Sequence, residues 1–284
     1  MSSLASAPAG RVWLITGASS GFGRAIAEAA LAAGDTVVAA ARRIEPLDDL
    51  VAKYPDRARA IELDVTDQQR AATAVADIVL WYGRIDVLVN NAGRGLVGAV
   101  EETSDRELRD LMDLHFFGPA ALTRAVLPHM RALKSGAIVQ LTSMGGRLSF
   151  AGVGAYSATK FALEGLTEAL AAEVAPFGIK VMIVEPGAFR TGFAGGALAQ
   201  TAQLDAYADS VGAFRSDLPA SDGKQPGDPA KAAAAILTAL ADEHIPLRLP
   251  LGNDAFDYIR QHLVAEEKDL AAWEHVGRAV DFDD

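Results

Sequence analysis

Short apolar runs alternate with longer stretches of helical composition along most of the chain. The runs at 11–16 (RVWLIT), 36–41 (TVVAAA), 59–65 (RAIELDV), 85–93 (IDVLVNNAG), 136–143 (GAIVQLTS), 179–187 (IKVMIVEPG) and 246–252 (PLRLPLG) read as strands. Between them, 23–34 reads as a helix closed by Gly34, and another reaches Trp81. A long helix is expected from Ser104, a suitable N-cap, to about Leu127, with Pro119 bending or splitting it. Helices are also expected at 155–175, at 228–242 behind Asp228 and Pro229, and at 253–276. Strands apolar on both faces and separated by helices predict an α/β fold: a parallel sheet of about seven strands with helices on both faces, doubly wound by right-handed crossovers. Residues 187–227, rich in Gly, Ala, Ser and Asp, break the alternation; a segment of that length predicts a substrate lid or binding loop. No repeat or linker divides the chain, so one domain is expected over 1–284, with 228–284 supplying C-terminal helices and the last strand.

The composition narrows the function. Half of the 284 residues are hydrophobic and 22% are charged, enough to bury a large core. The net charge of −11 disfavours nucleic acid and anionic membranes as partners. Without cysteine there is no disulfide, thiolate metal site or thiol nucleophile. The histidines at 115, 129, 244, 262 and 275 show no metal-ligand spacing, so no metal is expected. The N-terminal MSSLASAPAG has no basic segment followed by an apolar run, and no apolar run spans a bilayer. A soluble cytoplasmic protein is the expectation.

Two short motifs carry chemistry. In YSATK, Tyr156 and Lys160 lie four residues apart, on one face of a helix. A cation beside a phenol favours the phenolate, and lowering the phenol from its ordinary pKa of about 10 toward neutrality takes roughly 4 kcal/mol. In TGASSGFGR, Gly17, Gly21 and Gly23 join the first strand to the first helix. They suit a tight turn, close approach of backbone to a pyrophosphate, and a helix packed near the sheet, with the helix N-terminus offering N–H groups to phosphate. That context predicts dinucleotide binding.

T-G-x-x-x-G-x-G at 16–23, N-N-A-G at 90–93, Ser143 and Y-x-x-x-K at 156–160 occur in that order, and together they resemble a classical short-chain dehydrogenase/reductase over roughly residues 10–195. The resemblance implies a Rossmann-type fold and hydride transfer between a nicotinamide cofactor and a carbonyl or secondary alcohol. It implies that Tyr156 is the general acid/base, that Lys160 lowers its pKa and holds the nicotinamide ribose, and that Ser143 hydrogen-bonds the substrate oxygen. Cofactor contacts are implied at Gly17, Ser19, Ser20, Gly21, Phe22 and Gly23 and at Asp64 and Val65. They are implied also at Asn91, Ala92 and Gly93, at Tyr156 and Lys160, and at Pro186, Gly187 and Thr191. Asn90 is implied to be partly structural. Members that use NAD carry an acidic residue where this chain has Ala41, and Arg42 and Arg43 follow. The resemblance therefore implies NADP(H), with a guanidinium on the 2′-phosphate. The family's asparagine midway along the fourth helix is replaced by His115, which reads either as a tolerated replacement packed near the bend and hydrogen-bonded to backbone, or as keeping the same proton relay through water with a depressed pKa.

The substrate is a small molecule. Leu96, Phe150, Phe189, Phe193 and Phe214 together lean toward an apolar ketone or alcohol, although for any one of these phenylalanines core is the stronger reading. Two other readings stand beside the oxidoreductase: a non-catalytic dinucleotide sensor of the same fold, and an epimerase or dehydratase of the extended branch, whose glycine spacing differs. By fold-level analogy, self-association as a homodimer or homotetramer is expected through the helices at 104–127 and 155–175.

Overall fold

Each of the seven apolar runs supplies a strand of one parallel sheet in the computed structural model, which describes residues 10–282. The N-terminal stretch on which the absence of a leader was read lies largely outside the described residues. In chain order the elements are β1 (Val12–Thr16), α1 (Gly21–Ala32), β2 (Thr36–Ala41), α2 (Asp48–Lys53), β3 (Ala58–Glu62), α3 (Gln68–Tyr82), β4 (Val87–Asn90) and β5 (Gly95–Val97). They continue with α4 (Asp105–Met112), α5 (Gly118–Leu133), β6 (Gly136–Leu141), α6 (Gly154–Val174), β7 (Ile179–Pro186) and β8 (Leu198–Gln200). The chain then forms α7 (Ala208–Ala220), α8 (Pro229–Ala241), β9 (Arg248–Leu251) and α9 (Asn253–Gly277).

The sheet order is β3-β2-β1-β4-β6-β7-β9, every pair parallel. The winding reverses between β1 and β4, which opens a crevice beyond the strands' carboxyl ends. One apolar layer packs α1 and α8 against the sheet through Ile26, Leu31, Ala233 and Ile236. The other packs α3, α5 and α6 through Val75, Ile78, Val126, Met130 and Leu170. Burial on both faces is why the inner strands are apolar throughout.

Local chemistry sets the helix ends. Ser104 caps α4 in a reciprocal capping box with Glu107, Asp67 accepts from the Arg70 N–H to cap α3, and Asp228 caps α8 ahead of Pro229. The long helix expected from Ser104 is two helices, and the break is not at Pro119. A π-helical turn, Asp113–Phe117, separates α4 from α5. Pro119 sits in the first turn of α5, where its missing N–H costs nothing, and the helix runs on to Leu133.

The expected loop at 187–227 contains more structure than its composition suggested. Its β8 pairs in parallel with β5 as a separate two-stranded sheet. Its α7 packs Val211 on Val97 and Ala99. Arg215 of α7 is buried and reaches Glu102, whose carboxylate also accepts the Ala99 and Leu204 N–H groups. Breaking such a pair leaves a buried charge without its partner. Arg215→Ala is therefore expected to release the 198–225 segment: limited proteolysis should cut there in the variant and not in the parent, while the main sheet keeps its far-ultraviolet dichroism.

Candidate active site

The glycine loop is tied to the turn after β4. Gly17 and Gly21 adopt left-handed backbone, φ +63° and +55°, and a Cβ on Gly23 would collide with the Gly17 carbonyl oxygen and with Asn91 Nδ2. Asn91 Nδ2 donates to the carbonyls of Thr16 (2.8 Å) and Gly17 (3.2 Å), and Thr16 Oγ1 accepts from the Asn91 and Ala92 N–H groups. Asn90 is buried, and its amide donates to Pro119 O and Thr123 Oγ1, a structural placement. Ser20, the N-cap of α1, places no side-chain oxygen on the helix's first N–H groups. Those donors face the crevice, where a phosphate would find them.

A cleft of about 1090 Å³ extends along the carboxyl ends of the strands. Its walls carry Gly17, Ser19, Ser20, Gly21 and Phe22 at one end, with Arg42, Arg43, Asp64 and Val65. Asn91, Ala92 and Gly93 occupy the middle, Ser143, Tyr156, Lys160, Pro186 and Gly187 the far end, and Thr191 lies across from Gly21 of the glycine loop. Gly23 does not line it; its place is the close packing of α1 against Gly17. Asp64 spends one carboxylate oxygen on the Thr66 N–H (2.9 Å) and hydroxyl (2.7 Å). Burial opposes its charge, but those bonds and nearby Arg42 outweigh burial and hold the carboxyl below its ordinary range.

At the far end, α6 turns Tyr156 and Lys160 toward the ends of β6 and β7. Lys160 is 5% exposed and donates from Nζ to Leu141 O at 2.9 Å. The ammonium lies 5.6 Å from the centroid of the Tyr156 ring. Ser143, in extended backbone, accepts the Gly145 N–H at 3.0 Å, which fixes its hydroxyl. Burial pushes the Tyr156 phenol up to about 12, opposed only by a hydrogen bond from Ser143, and burial pushes Lys160 down to about 8, opposed by Glu164. Desolvation disfavours both charged forms.

The contacts of His115 match the packed, backbone-bonded reading of the residue. It is 1% exposed, in the π turn. Its Nε2 accepts the Arg94 N–H at 3.1 Å, and Nδ1 lies 2.9 Å from Thr159 Oγ1. The Thr159 hydroxyl spends its one proton on Tyr156 O at 2.7 Å. Nδ1 must then be the protonated nitrogen and Nε2 the acceptor, which fixes one neutral tautomer. The ring packs edge-on against Tyr156, with centroids 5.6 Å apart. Both nitrogens are engaged by protein groups, so the imidazole acts as a strut between the β4 turn and α6. Burial first, then the charges of Lys160 and Arg94, hold its pKa well below the ordinary value, the direction the sequence implied.

All five apolar candidates line the cleft, but Phe189 is also 8% exposed core, its ring tilted against Phe22 with centroids 5.0 Å apart. The sequence reading missed Tyr258 of α9, which packs on Phe150 at 5.3 Å and closes the far wall. Nothing in its local sequence marks it. Arg94 and Thr159 were missed too, since only the fold brings them to His115.

Residues 11–202 match the family model described as short chain dehydrogenase. The chain belongs to the short-chain dehydrogenase family. An oxidoreductase from Botryotinia fuckeliana is 41% identical over 249 residues, 87% of this chain and 91% of the relative. The crystal structure of a short-chain dehydrogenase from Streptomyces avermitilis superposes with a TM-score of 0.93 at 63% identity, covering 96% of this chain and all of that one. A Burkholderia phymatum short-chain dehydrogenase/reductase in complex with NAD superposes with a TM-score of 0.81 at 25% identity, over 93% and 97% of the two chains. The Rossmann-type sheet of this dehydrogenase is thus that of its relatives, and among its described residues no helix is long and apolar enough to cross a membrane and no cluster could hold a metal.

A pH dependence follows from His115. Its folded pKa is depressed below the unfolded value of about 6.5, so below that pH the unfolded chain binds a proton the folded one refuses. Stability should fall as pH drops through about 6.5. His115→Asn should remove that loss. His115→Leu should remove it too, but cost about 1–3 kcal/mol at neutral pH through the unpaired Arg94 N–H. Urea denaturation from neutral to acid pH checks both.

Proposed function

We propose that this dehydrogenase moves a hydride between NADP(H) and an apolar ketone or secondary alcohol, with Tyr156 as the proton donor and acceptor. The observation that carries the reading is a single cleft with the glycine loop and Arg42 at one end and Ser143, Tyr156 and Lys160 at the other. The residues fit a nicotinamide dinucleotide: the cradle at Gly17, Gly21 and Gly23 leaves no room for side chains, and the first N–H groups of α1 have no side-chain cap. The NAD complex of the Burkholderia relative supports the cofactor class. Arg42 and Arg43 on the cleft wall, with no acidic residue at Ala41, support NADP(H) over NAD(H).

Bound there, the reduced nicotinamide supplies the hydride. The chain supplies orientation and one proton. The carbonyl oxygen sits between the Ser143 and Tyr156 hydroxyls, which stabilise negative charge as it develops. Tyr156 then gives its proton to that oxygen while the hydride reaches the carbon. A phenol pushed up to about 12 holds its proton at neutral pH, which is the state reduction needs. Lys160, on the same face of α6, binds the ribose and supplies positive charge as the phenolate forms. Phe150, Phe193, Phe214 and Tyr258 give the far wall an apolar surface, which supports a hydrophobic substrate. One domain carries this whole site, the 187–227 segment serving as its lid.

The helices at 104–127 and 155–175 expose Leu108, Phe117, Phe161 and Leu166, which supports self-association through them as a dimer or tetramer. Light scattering across concentrations should show a species larger than 29.7 kDa.

Two measurements test the reaction. Tyr156→Phe keeps the ring and removes the proton, so turnover of a ketone panel should fall by about 10²–10⁴-fold while NADPH still binds; near-normal turnover would sink the assignment. Arg42→Asp removes charge-assisted hydrogen bonds worth about 1.5–3 kcal/mol, so the preference for NADPH over NADH should drop roughly 10- to 100-fold. A parent enzyme that uses NADH as well as NADPH would contradict the cofactor reading.

A further inference from the structure

Behind the candidate site lies a cluster of buried charges that the reaction above does not use. Tyr156, Lys160, Glu164 and Glu168 follow one another at intervals of four along one face of α6. The Glu164 carboxyl sits under the turn that begins at Ser143, where a Cβ on Gly146 would collide with it. Glu185 of β7 points into the same space. Glu164 and Glu185 are 3% and 1% exposed. Arg248 Nε lies 3.3 Å from Glu164 Oε2 and 3.1 Å from Glu185 Oε1, so one N–H is offered to two carboxyl groups. The same guanidinium donates from another nitrogen to Glu168 at 2.8 Å. Arg147 Nη1 is 3.8 Å from Glu185, beyond hydrogen-bond reach, and neither Glu185 oxygen receives a well-directed hydrogen bond.

Thr142 adds an independent constraint. Its hydroxyl lies 2.9 Å from Glu164 Oε1 and 3.0 Å from Val184 O. A hydroxyl has one proton and a carbonyl has none. The hydroxyl must divide its proton between the two, unless the carboxyl brings a proton of its own, and then both contacts are full hydrogen bonds.

We propose that Glu164 and Glu185 form a carboxyl pair holding a single proton, and that the loss of this proton sets the charge state of Lys160 from behind. Two carboxylates out of water and close together do not ionise together, as in other carboxyl dyads. Burial first, then Glu164, pushes Glu185 up to about 7, and burial pushes Glu164 up. The groups facing the pair are Lys160 and Glu168 on α6, Arg147 after β6 and Arg248 on β9, while Asp254 of α9 turns away to the Ala188 N–H. When the pair loses its proton, a second negative charge appears beside Lys160 and the ammonium is retained to higher pH. Burial alone would discharge the lysine as pH rises; the pair counters this at the same pH. Glu164 and Glu185 are thus positioning residues that act through Lys160.

This inference rests on Lys160 being the cofactor-side lysine of the proposed reaction, but its test needs no turnover. Difference infrared spectroscopy of the full chain follows the protonated carboxyl band, and carbon-13 NMR of the lysine Cε, assigned with Lys160→Arg, follows the ammonium. The expected result is a carboxyl that titrates near neutral pH in the parent and is lost in Glu185→Gln. The lysine midpoint should move to lower pH in Glu185→Gln and further in Glu164→Gln, the nearer charge. The proposal is overturned if the parent shows no carboxyl titration between about pH 5 and pH 9, or if the lysine midpoint is the same in parent and both variants. Should a glutamine variant fail to fold, the parent's infrared titration alone still decides whether the shared proton exists. Loss of Tyr156-dependent turnover with these titrations intact would count against the reaction and not against the pair.

Discussion

The site depends on one costly arrangement: a phenol and an ammonium held out of water on the inner face of α6. Among the described residues Lys160 has one hydrogen bond, to Leu141 O, and a carboxyl one helical turn behind it. A lone buried ammonium would cost several kcal/mol, so the surrounding groups must be arranged to tolerate it. Leu141 ends β6, Ser143 follows two residues later, and β7 carries Glu185 alongside. The helix, the two strand ends and the carboxyl cluster are therefore one electrostatic unit. Its position at the winding reversal of the sheet puts it at the end of the cleft that begins with the glycine loop.

The two ends of that cleft are coupled by side chains that span the loops. Asn91 fastens the glycine loop to the β4 turn, and His115 fastens the same turn, at Arg94, to Thr159 on α6. The π turn between α4 and α5 is what lets the imidazole reach both. This places the phosphate cradle and the Tyr156–Lys160 face in a fixed relation before any ligand arrives, which is the geometric requirement of hydride transfer.

The sequence disclosed most of the sheet because a strand buried on both faces is apolar throughout, and six residues such as TVVAAA can do little else between two helices. It did not disclose β5 and β8. Each is three residues long, and their pairing joins segments a hundred positions apart, so no local pattern marks them. The π turn was equally hidden: Pro119 drew the expected break toward itself, although a first-turn proline fits an unbroken helix. Of the site, the glycine loop and the Tyr156–Lys160 spacing were legible because each is a local geometric motif. The electrostatics were not. Whether Lys160 lowers Tyr156, or burial raises it, depends on solvent exclusion and on partners at Leu141, Ser143 and Glu164, which only the folded chain brings together.

The central claim is that this cleft aligns a hydride donor with a carbonyl carbon while Tyr156 serves the oxygen. The most direct measurement uses NADPH carrying deuterium at C4 of the reduced nicotinamide, with any ketone the enzyme accepts, and locates the label in the alcohol. The account requires one deuterium on the carbinol carbon and a proton from solvent on the oxygen. Alcohol whose carbinol hydrogen comes from solvent, or cofactor that binds without ever transferring its label across a broad ketone panel, would contradict it.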